Sequence, residues 1–381
     1  MKIVHLITSL STGGAEMMLY KLLSAVDHNH FEHVVVSLID KGTVVGERIE
    51  ELGVPVHALG MRHGRLPTTT SVWRLACLGR QLRPDIIQGW MYHGNMAALL
   101  VSTLVPAQAK VIWNIRQTIY DLKQEKRLTS LLIRVGAKFS SMPARIIYNS
   151  SVSLEFHEKL GYASHRSLVL ANGFDCNLFK PDAVARYSFR RSLKLDSEAF
   201  LIGVVGRYHP VKDHANFLQA AGILERTWPN VHFVLVGRGM DHTNSELIAL
   251  IRQIGINGKI HLLGERNDVP HITAALDIAS SPSQSEGFPN VVGEAMACEV
   301  PCVVTDVGDS AKIVDVTGIV IPPRDPQALA DGWGRLIEMG AVARRKLGIA
   351  ARKRIQDNYS LSKIARRYEC LYHKVLTERD L

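Results

Sequence analysis

Residues 201–213 read LIGVVGRYHPVKD and join a short apolar run to a glycine and two cations. The run Leu201–Val205 has the length and the Val and Ile content of a buried strand. The predicted strand ends at Gly206, so Arg207 and Lys212 follow it closely. Open α/β sheets bind ligands at the carboxyl ends of their strands, and a guanidinium with an ammonium suits a diphosphate. The stretch therefore predicts an anion-binding strand end, with two solvated loop charges as the alternative.

Apolar runs of similar length recur along the chain and alternate with longer segments of helical spacing. Before residue 201 they occupy Ile3–Thr8, Val34–Leu38, Ile86–Gln88, Val111–Asn114 and Ile146–Tyr148. After it they occupy Phe233–Val236, Ile260–Leu263, Ile278–Ser280 and Cys302–Thr305. This βαβ alternation predicts an α/β protein with two doubly wound, Rossmann-like domains built on parallel sheets.

Turn-forming residues interrupt the periodicity in residues 171–182, where ANGFDCNLFKPD leaves no room for a core strand. We place the domain linker there and predict an N-terminal domain of residues 1–172 and a C-terminal domain of residues 173–359. The helical spacing that follows predicts a last helix of about residues 360–381, which we expect to pack back on the N-terminal domain.

The composition is that of an ordinary globular protein. Of the 381 residues, 46% are hydrophobic and 21% are charged, which excludes disorder and collagen. The five cysteines are scattered, so a disulfide framework or a zinc ribbon is not expected. We see no secretory signal, and the longest apolar run, Met96–Ala107, is shorter than the ~20 residues that span a bilayer. We expect a protein of a reducing compartment without a membrane span.

Positive charge is concentrated in a basic region, residues 60–145, which holds 13 Lys and Arg against three acids in a chain of net charge +9. Aromatic residues lie among its cations: Trp73, Trp113 and Tyr120. Such a face attracts anionic lipid headgroups at about 1 kcal/mol per cation, so we expect an anionic membrane surface as a partner. Nucleic acid is the competing partner, but no nucleic-acid-binding module is visible. A merely solvated basic face is a third possibility.

A glycine pair, Gly13 and Gly14, follows the first predicted strand and opens an apolar-periodic segment. Backbone N–H groups at such a helix start can approach a phosphate, whose charge the helix dipole favours. The full Gly-x-Gly-x-x-Gly fingerprint is absent, so a tight turn without a ligand is the alternative.

Residues 285–297, SEGFPNVVGEAMA, carry two glutamates eight positions apart, just after a predicted strand. A helix that starts with Pro289 as its first residue leaves Glu286 in the preceding loop and places Glu294 two turns inside, so both can face one cleft. Free backbone amides at that helix start can donate to an anion or a sugar hydroxyl: those of Phe288, Asn290 and Val291. The alternative is a helix-start acid and an unrelated surface acid.

This Glu-x7-Glu element, together with the pair Arg207 and Lys212, resembles the retaining glycosyltransferases of family four that build bacterial polysaccharides and lipopolysaccharides. The segments Gly13–Glu16, Asn149–Ser151 and Asn172–Asp175 are also similar to that family, so the resemblance covers nearly the whole chain. It implies a GT-B fold, in which two Rossmann-like domains face a central cleft. The N-terminal domain would then bind the acceptor and the C-terminal domain the nucleotide sugar.

The resemblance also implies roles for the residues of the donor site. Glu294 would accept hydrogen bonds from the ribose hydroxyls and Glu286 from hydroxyls of the transferred sugar. Arg207 and Lys212 would stabilise the charge that develops on the leaving diphosphate, which Gly13 and Gly14 would approach from the other domain. The remaining donor contacts that it implies are Arg266, Gly287, Phe288, Pro289, Asn290 and Val291.

Two departures qualify these roles. No Asp-x-Asp occurs in the chain, so we expect transfer without a metal or other cofactor, with cations doing the metal's work. Many relatives have a histidine where this chain has Arg116. His93, which follows an earlier strand, is then a candidate for orienting the acceptor or the sugar, with a structural histidine as the alternative.

We therefore expect a retaining hexosyltransferase that moves a sugar from a nucleotide-sugar donor to an oligosaccharide or lipid-linked glycan in cell-surface polysaccharide synthesis. We expect it to be cytoplasmic and peripherally attached to the inner face of the membrane. The alternatives are a GT-B sugar-nucleotide epimerase, a sucrose- or glycogen-type synthase, a Rossmann dehydrogenase, a basic nucleic-acid binder and a non-catalytic binding protein of the same fold.

Overall fold

The structure is a computed structural model that describes residues 1–62, 68–105, 109–119, 122, 125–196 and 198–378, with only the backbone described at residue 257. It divides into two compact units. Unit 1 comprises Met1–Gly173 and Leu361–Leu381, and unit 2 comprises Phe174–Ser360. The predicted domain boundaries, after residues 172 and 359, each lie one residue before the corresponding boundary in the structure.

The sheet of unit 1 is parallel, and its strands lie in the order β3-β2-β1-β4-β5-β6-β7. They are β1 (Lys2–Ile7), β2 (Glu32–Ser37), β3 (Val56–Ala58), β4 (Ile86–Trp90), β5 (Lys110–Ile115), β6 (Arg145–Tyr148) and β7 (Ser167–Val169). The helices of residues 1–173 are α1 (Gly14–Leu23), α2 (Val44–Glu51), α3 (Thr69–Leu82), α4 (Met91–Leu104), α5 (Arg127–Phe139) and α6 (Ser151–Lys159). The central strand β4 is buried along its whole length, as a parallel strand covered on both faces requires.

The sheet of unit 2 is also parallel, in the order β10-β9-β8-β11-β12-β13. Its strands are β8 (Phe200–Val205), β9 (Val231–Val236), β10 (Ile260–Leu262), β11 (Ile278–Ser281), β12 (Cys302–Thr305) and β13 (Ile319–Ile321). Its helices are α7 (Ala183–Ser192), α8 (His214–Glu225), α9 (Ser245–Ile254), α10 (Val269–Ala275), α11 (Asn290–Ala297), α12 (Ser310–Val314), α13 (Pro326–Glu338) and α14 (Gly340–Asn358). The indole of Trp333, fully buried against Phe217 and Phe233, lies in its core.

The last helix, α15 (Leu361–Thr377), completes unit 1. Its buried residues recur at helical spacing, among them Tyr368 and Tyr372. The Tyr368 hydroxyl accepts a hydrogen bond from Asn114 Nδ2 at 3.0 Å, and the Tyr372 hydroxyl donates to Gln88 Oε1 at 2.6 Å. These bonds attach α15 to the middle strands β4 and β5. No helix in the described part of the chain is both long and apolar enough to cross a bilayer.

The first and the last residues of unit 2 are hydrogen-bonded neighbours. The Phe174 N–H donates to the Tyr359 carbonyl at 2.9 Å, and Phe174 forms a parallel bridge with Ser360. Unit 2 is thus inserted into unit 1 through two adjacent points of the chain.

A buried histidine in unit 1 makes its stability depend on pH. His157 is fully buried, its Nδ1 donates to the Ser153 carbonyl at 2.7 Å, and its Nε2 accepts from the Tyr92 hydroxyl at 2.9 Å. Burial lowers the pKa of His157 from 6.5 to about 4. Below pH 6.5 the unfolded chain therefore binds a proton at this histidine, whereas the folded chain does not bind one until about pH 4. The free energy of unfolding consequently decreases as the pH falls from 6.5 to about 4.

We expect His157→Gln to destabilise the protein more at pH 7.5 than at pH 4.5, because the wild type loses roughly 2–3 kcal/mol between those limits as the unfolded chain takes up a proton at this histidine. Urea unfolding of both proteins at the two pH values measures the difference. If the difference in unfolding free energy between the wild type and the variant does not change with pH, the buried imidazole is not held neutral.

Candidate functional site

The strand order of unit 2 reverses between β8 and β11, since the chain leaves β8 toward β9 and later returns on the other side of β8. Open α/β sheets bind ligands beyond the carboxyl ends of the strands at such a switch point. The loop after β8 carries Arg207 and Lys212, and the loop after β11 carries Glu286. The order of the strands thus brings the two sequence motifs of the C-terminal domain to one edge.

Lys212 and Glu286 form an ion pair across this switch point. Lys212 Nζ lies 2.5 Å from Glu286 Oε1, which also accepts a hydrogen bond from Ser283 Oγ at 2.7 Å. The two side chains are 26% and 12% exposed. The Gln284 N–H donates to the Val211 carbonyl at 2.8 Å, so backbone contact also joins the two loops. The structure therefore holds one ammonium and one carboxylate together, in a half-buried position at the sheet edge.

Arg207 extends into solvent from a fixed turn. Its neighbour Gly206 has φ +153° and donates its N–H to the Val236 carbonyl at 2.8 Å. A Cβ at Gly237, which has φ +138°, would lie 2.1 Å from the Gly206 carbonyl oxygen. Only glycine permits this approach, so the loops after β8 and β9 form one surface.

A second exposed cation, Arg238, follows β9 on that surface. The Tyr208 N–H donates to the Arg238 carbonyl at 2.8 Å, so its backbone is bonded to the turn that carries Arg207. Sequence reasoning missed Arg238. The signal was present, because the arginine lies between Gly237 and Gly239 just after an apolar run.

Helix α11 starts one residue later than predicted. Pro289 precedes it, and Asn290 is its first residue. The prediction of Pro289 as the first helical residue was wrong because proline's fixed φ suits the residue before a helix as well as its first position. Glu294 is then the fifth residue, a little over one turn inside instead of two, and it is half-buried.

The side chain of Phe288 belongs to the core of unit 2. It is 7% exposed, and its ring stacks on that of Phe174 at 5.9 Å. A Cβ at Gly293 would lie 2.1 Å from the Phe174 ring, so this glycine lets α11 pack directly against the aromatic pair. Phe288 can therefore contact a nucleotide-sugar donor only through its backbone.

The loop after β12 fixes the backbone around Glu286. Gly308 has φ +57°, and a Cβ there would lie 2.3 Å from the Glu286 carbonyl oxygen and 2.6 Å from that of Gly287. The Asp309 N–H donates to the Gly287 carbonyl at 2.9 Å. Sequence reasoning did not single out Gly308, although it too follows an apolar strand.

Arg266 is held by a neighbouring acid. Its Nε and Nη2 lie 2.8 and 2.7 Å from the two carboxylate oxygens of Asp268, and this hydrogen-bonded pair lowers the pKa of Asp268. The segment follows β10, which lies two strands from β8 in the sheet. A donor contact of the Arg266 side chain stays a prediction and requires that the guanidinium be shared with Asp268.

In unit 1 the predicted phosphate-binding glycines lie where the segment after β1 enters α1, beside the switch between β1 and β4. Gly13 is the residue before α1, and Gly14 is its first residue. A Cβ at Gly13 would lie 2.3 Å from Glu16 Oε2, so a carboxylate lies against this helix start. Burial raises the pKa of Glu16, and the charge of Asp40 adds to the effect. A phosphate requires Glu16 to turn away.

His93 is the third residue of α4, at the other side of the same switch point. It is half-buried and borders an apolar cavity, and burial lowers its pKa. Arg116 is enclosed instead: its Nη1 donates to the Leu170 carbonyl at 2.8 Å, and the guanidinium lies over the Trp90 ring at 5.9 Å. Which of the two contacts a ligand stays a prediction.

The basic region of the sequence is only partly a surface. Cations on α5 are exposed, and Trp73 is 67% exposed, but Trp113 is buried in β5. The expectation that Trp113 joins a basic surface is wrong because its strand is covered on both faces. Arg65 and Tyr120 lie outside the described residues.

Comparison with known proteins matches both units to models of glycosyltransferases. Residues 12–178 match the model described as Glycosyltransferase Family 4, and residues 199–339 match the model described as Glycosyl transferases group 1. The chain belongs to the family-four glycosyltransferases. The resemblance to family four stated from the sequence is thereby confirmed, and so is the GT-B fold class with two Rossmann-like domains.

Individual glycosyltransferases agree with this. The chain is 32% identical over 46% of its length to D-inositol 3-phosphate glycosyltransferase of Corynebacterium urealyticum. It is 29% identical over 45% of its length to UDP-Gal:alpha-D-GlcNAc-diphosphoundecaprenol alpha-1,3-galactosyltransferase of Escherichia coli. The match spans 45% of each relative, so the chain matches less than half the length of either.

Solved structures resemble nearly the whole chain. The crystal structure of Anabaena Alr3699/HepE in complex with UDP has a TM-score of 0.84 and 22% identity, and the match covers 98% of this chain and 100% of that one. At this identity the likeness concerns the fold.

Proposed function

We propose that this family-four glycosyltransferase is a retaining, metal-independent hexosyltransferase that moves a sugar from a nucleotide-sugar donor to a lipid-linked glycan in cell-surface polysaccharide synthesis. The observation that carries the proposal is the Lys212–Glu286 pair at the switch point of unit 2. The relative from Escherichia coli, whose name contains both a UDP-sugar and a diphosphoundecaprenol-linked sugar, supports a UDP-sugar donor and a lipid diphosphate acceptor. Retention of the anomeric configuration rests on the family.

The charges at this edge of unit 2 suit a leaving diphosphate. Lys212, Arg207 and Arg238 supply positive charge from two neighbouring loops, and preorganised cations stabilise charge that develops in a transition state. These cations replace a divalent metal in the proposed mechanism. Glu286, whose carboxylate already accepts from Lys212 and Ser283, orients hydroxyls of the transferred sugar.

A binding screen tests the proposal. The protein is melted with UDP-, GDP-, ADP- and TDP-sugars, each with EDTA and with Mg²⁺, and a ligand that binds only the folded state raises Tm. We expect a UDP-sugar to raise Tm equally in EDTA and in Mg²⁺, and the shift to shrink in Arg207→Ala. A shift that appears only with Mg²⁺ would refute metal independence. If no nucleotide sugar raises Tm, the proposed donor class is refuted. Analysis of the products formed from a nucleotide sugar that does bind separates transfer from epimerisation.

Glu294 is proposed to accept hydrogen bonds from the donor's ribose. We expect Glu294→Ala to raise the Kd of the donor about ten- to a hundred-fold, because hydrogen bonds to charged groups contribute ~1.5–3 kcal/mol. Calorimetric titration with the nucleotide sugar from the screen measures this. Glu338→Ala, an exposed glutamate of α13 in the same unit, is the matched control and should bind the donor as the wild type does. Equal affinities in all three proteins would remove Glu294 from the site.

A further inference from the structure

An apolar cavity of about 300 Å³ lies among α3, α4 and α5 of unit 1. Six of its lining residues show its character: Val72, Leu75, Met96, Ala97, Leu128 and Leu132. Two polar residues, Ser71 and His93, also border it. Protein interiors seldom contain voids larger than a water molecule, whereas ligand pockets begin at roughly 300 Å³. The size of this cavity is that of a small ligand site.

The lining selects the chemistry of the occupant. A glycan would leave most of its hydroxyls without hydrogen-bond partners in this cavity, at a cost for each buried polar group. A hydrocarbon chain has no such groups. Because a methylene takes about as much room as a water molecule, ~30 Å³, the cavity holds on the order of ten of them. Leu100 borders the cavity and is 38% exposed, which places an opening at the surface.

Cations and exposed apolar groups lie on α3 and α5, two of the helices that line the cavity. Arg127 and Arg74 are exposed and directly precede the lining residues Leu128 and Leu75. On the outer face of α5, Leu131 and Phe139 are exposed and stand two helical turns apart, with cations between them: Arg134 and Lys138. Trp73, beside the lining residue Val72, is 67% exposed. An apolar cavity between helices that carry exposed cations suits an amphiphile with an anionic head.

We propose that this cavity binds the hydrocarbon chain of the lipid-phosphate acceptor, while Arg74 and Arg127 bind its phosphate. The identity of the lipid as acceptor rests on the proposed function. His93, at the start of α4, borders the cavity and lies at the carboxyl end of β4, so it marks the side of the cavity nearest the switch point of unit 1. The hydrocarbon chain then holds the acceptor in unit 1 through a contact that does not involve the glycan.

Binding of n-alkyl phosphates tests the proposal without requiring turnover. Calorimetry with butyl, hexyl, octyl, decyl and dodecyl phosphate, below their micelle concentrations, gives Kd as a function of chain length. We expect Kd to fall about four-fold per methylene, as burial of a CH₂ group predicts, and to level off near ten carbons. Affinity that is independent of chain length, or equal to that of inorganic phosphate, would overturn the proposal.

Two substitutions locate the bound chain. Ala97→Phe fills the cavity, and Leu100→Glu places a carboxylate at its opening. Each should weaken dodecyl phosphate binding at least ten-fold and should reduce the dependence of Kd on chain length. Val44→Glu introduces the same charge on α2, where Val44 is 58% exposed and outside the lining, and should bind dodecyl phosphate within about two-fold of the wild type. If Val44→Glu loses binding as Leu100→Glu does, the hydrocarbon chain adsorbs on the surface and the proposal fails.

The nucleotide-sugar titration of unit 2 serves as the internal control. A variant that binds the donor normally has folded, so its loss of alkyl phosphate binding reports on the cavity. Donor binding without chain-length dependence refutes the cavity proposal alone, and chain-length dependence without donor binding refutes the proposed transferase.

Discussion

Replacing Lys212 with alanine is expected to lower turnover of the nucleotide sugar about 100- to 1,000-fold, the range found when one preorganised charge-stabilising donor is removed. Lys212 is the cation that the structure holds at the switch point, 2.5 Å from the carboxylate of Glu286. Its loss removes a positive charge from the leaving diphosphate and leaves Glu286 without its cation. The effect is measured as the rate at which nucleoside diphosphate is released. The substrate is the nucleotide sugar that raises the Tm of the wild type.

The matched control is Lys353→Ala. Lys353 pairs with Asp357 at 2.8 Å on α14, but its side chain is 74% exposed, and exposed pairs contribute only ~0.2–1 kcal/mol. Turnover of this variant should remain within about two-fold of the wild type. Lys212→Arg keeps the charge and should recover part of the activity, since a guanidinium is larger than an ammonium and differently shaped. Wild-type turnover in Lys212→Ala would eliminate the proposed leaving-group role.

Replacing Gly308 with alanine is expected to destabilise unit 2 and to weaken donor binding more than ten-fold. A left-handed φ of +57° costs a non-glycine residue roughly 1–2 kcal/mol, and the added Cβ would collide with the carbonyl oxygens of Glu286 and Gly287. Relieving that collision moves the backbone that carries the Glu286 carboxylate, at a further cost of about 1–3 kcal/mol. We expect the free energy of unfolding to fall by roughly 2–5 kcal/mol.

Gly340→Ala separates the two causes. Gly340 has φ +78°, but a Cβ there would meet nothing within 4 Å. This variant should lose only the backbone contribution of about 1–2 kcal/mol and should keep its donor affinity. Denaturant unfolding and donor titration of both variants make the comparison. Equal losses of affinity in the two variants would show that contact with Gly308 does not position Glu286.

The sequence predicted the central strands well because their signal is local. The strand predicted at Leu201–Val205 is β8, Phe200–Val205, and the flanking runs of Val and Ile also formed strands. The short strands β3, β7 and β13 were not predicted. Each is three residues long and carries little periodicity to distinguish a strand from a loop, although β10, which is equally short, was predicted.

The candidate site was predicted in composition but not in geometry. The positions of Arg207, Lys212 and Glu286 after strands could be read from the sequence, because strand ends meet at one edge. Their pairing, and the support of Glu286 by Gly308, depend on β8, β11 and β12 being neighbours. That order follows from tertiary packing, which no local pattern encodes.

The insertion of unit 2 has a consequence for how the chain folds during synthesis. Tyr368 and Tyr372 of α15 complete the core of unit 1, yet they leave the ribosome after all of unit 2. A disordered insertion of that length would add loop-closure entropy to every contact that α15 makes, growing as the logarithm of its length. Once unit 2 has folded, its first and last residues, Phe174 and Ser360, are bridged neighbours. The long loop is then already closed, and α15 emerges next to the point where unit 1 was interrupted.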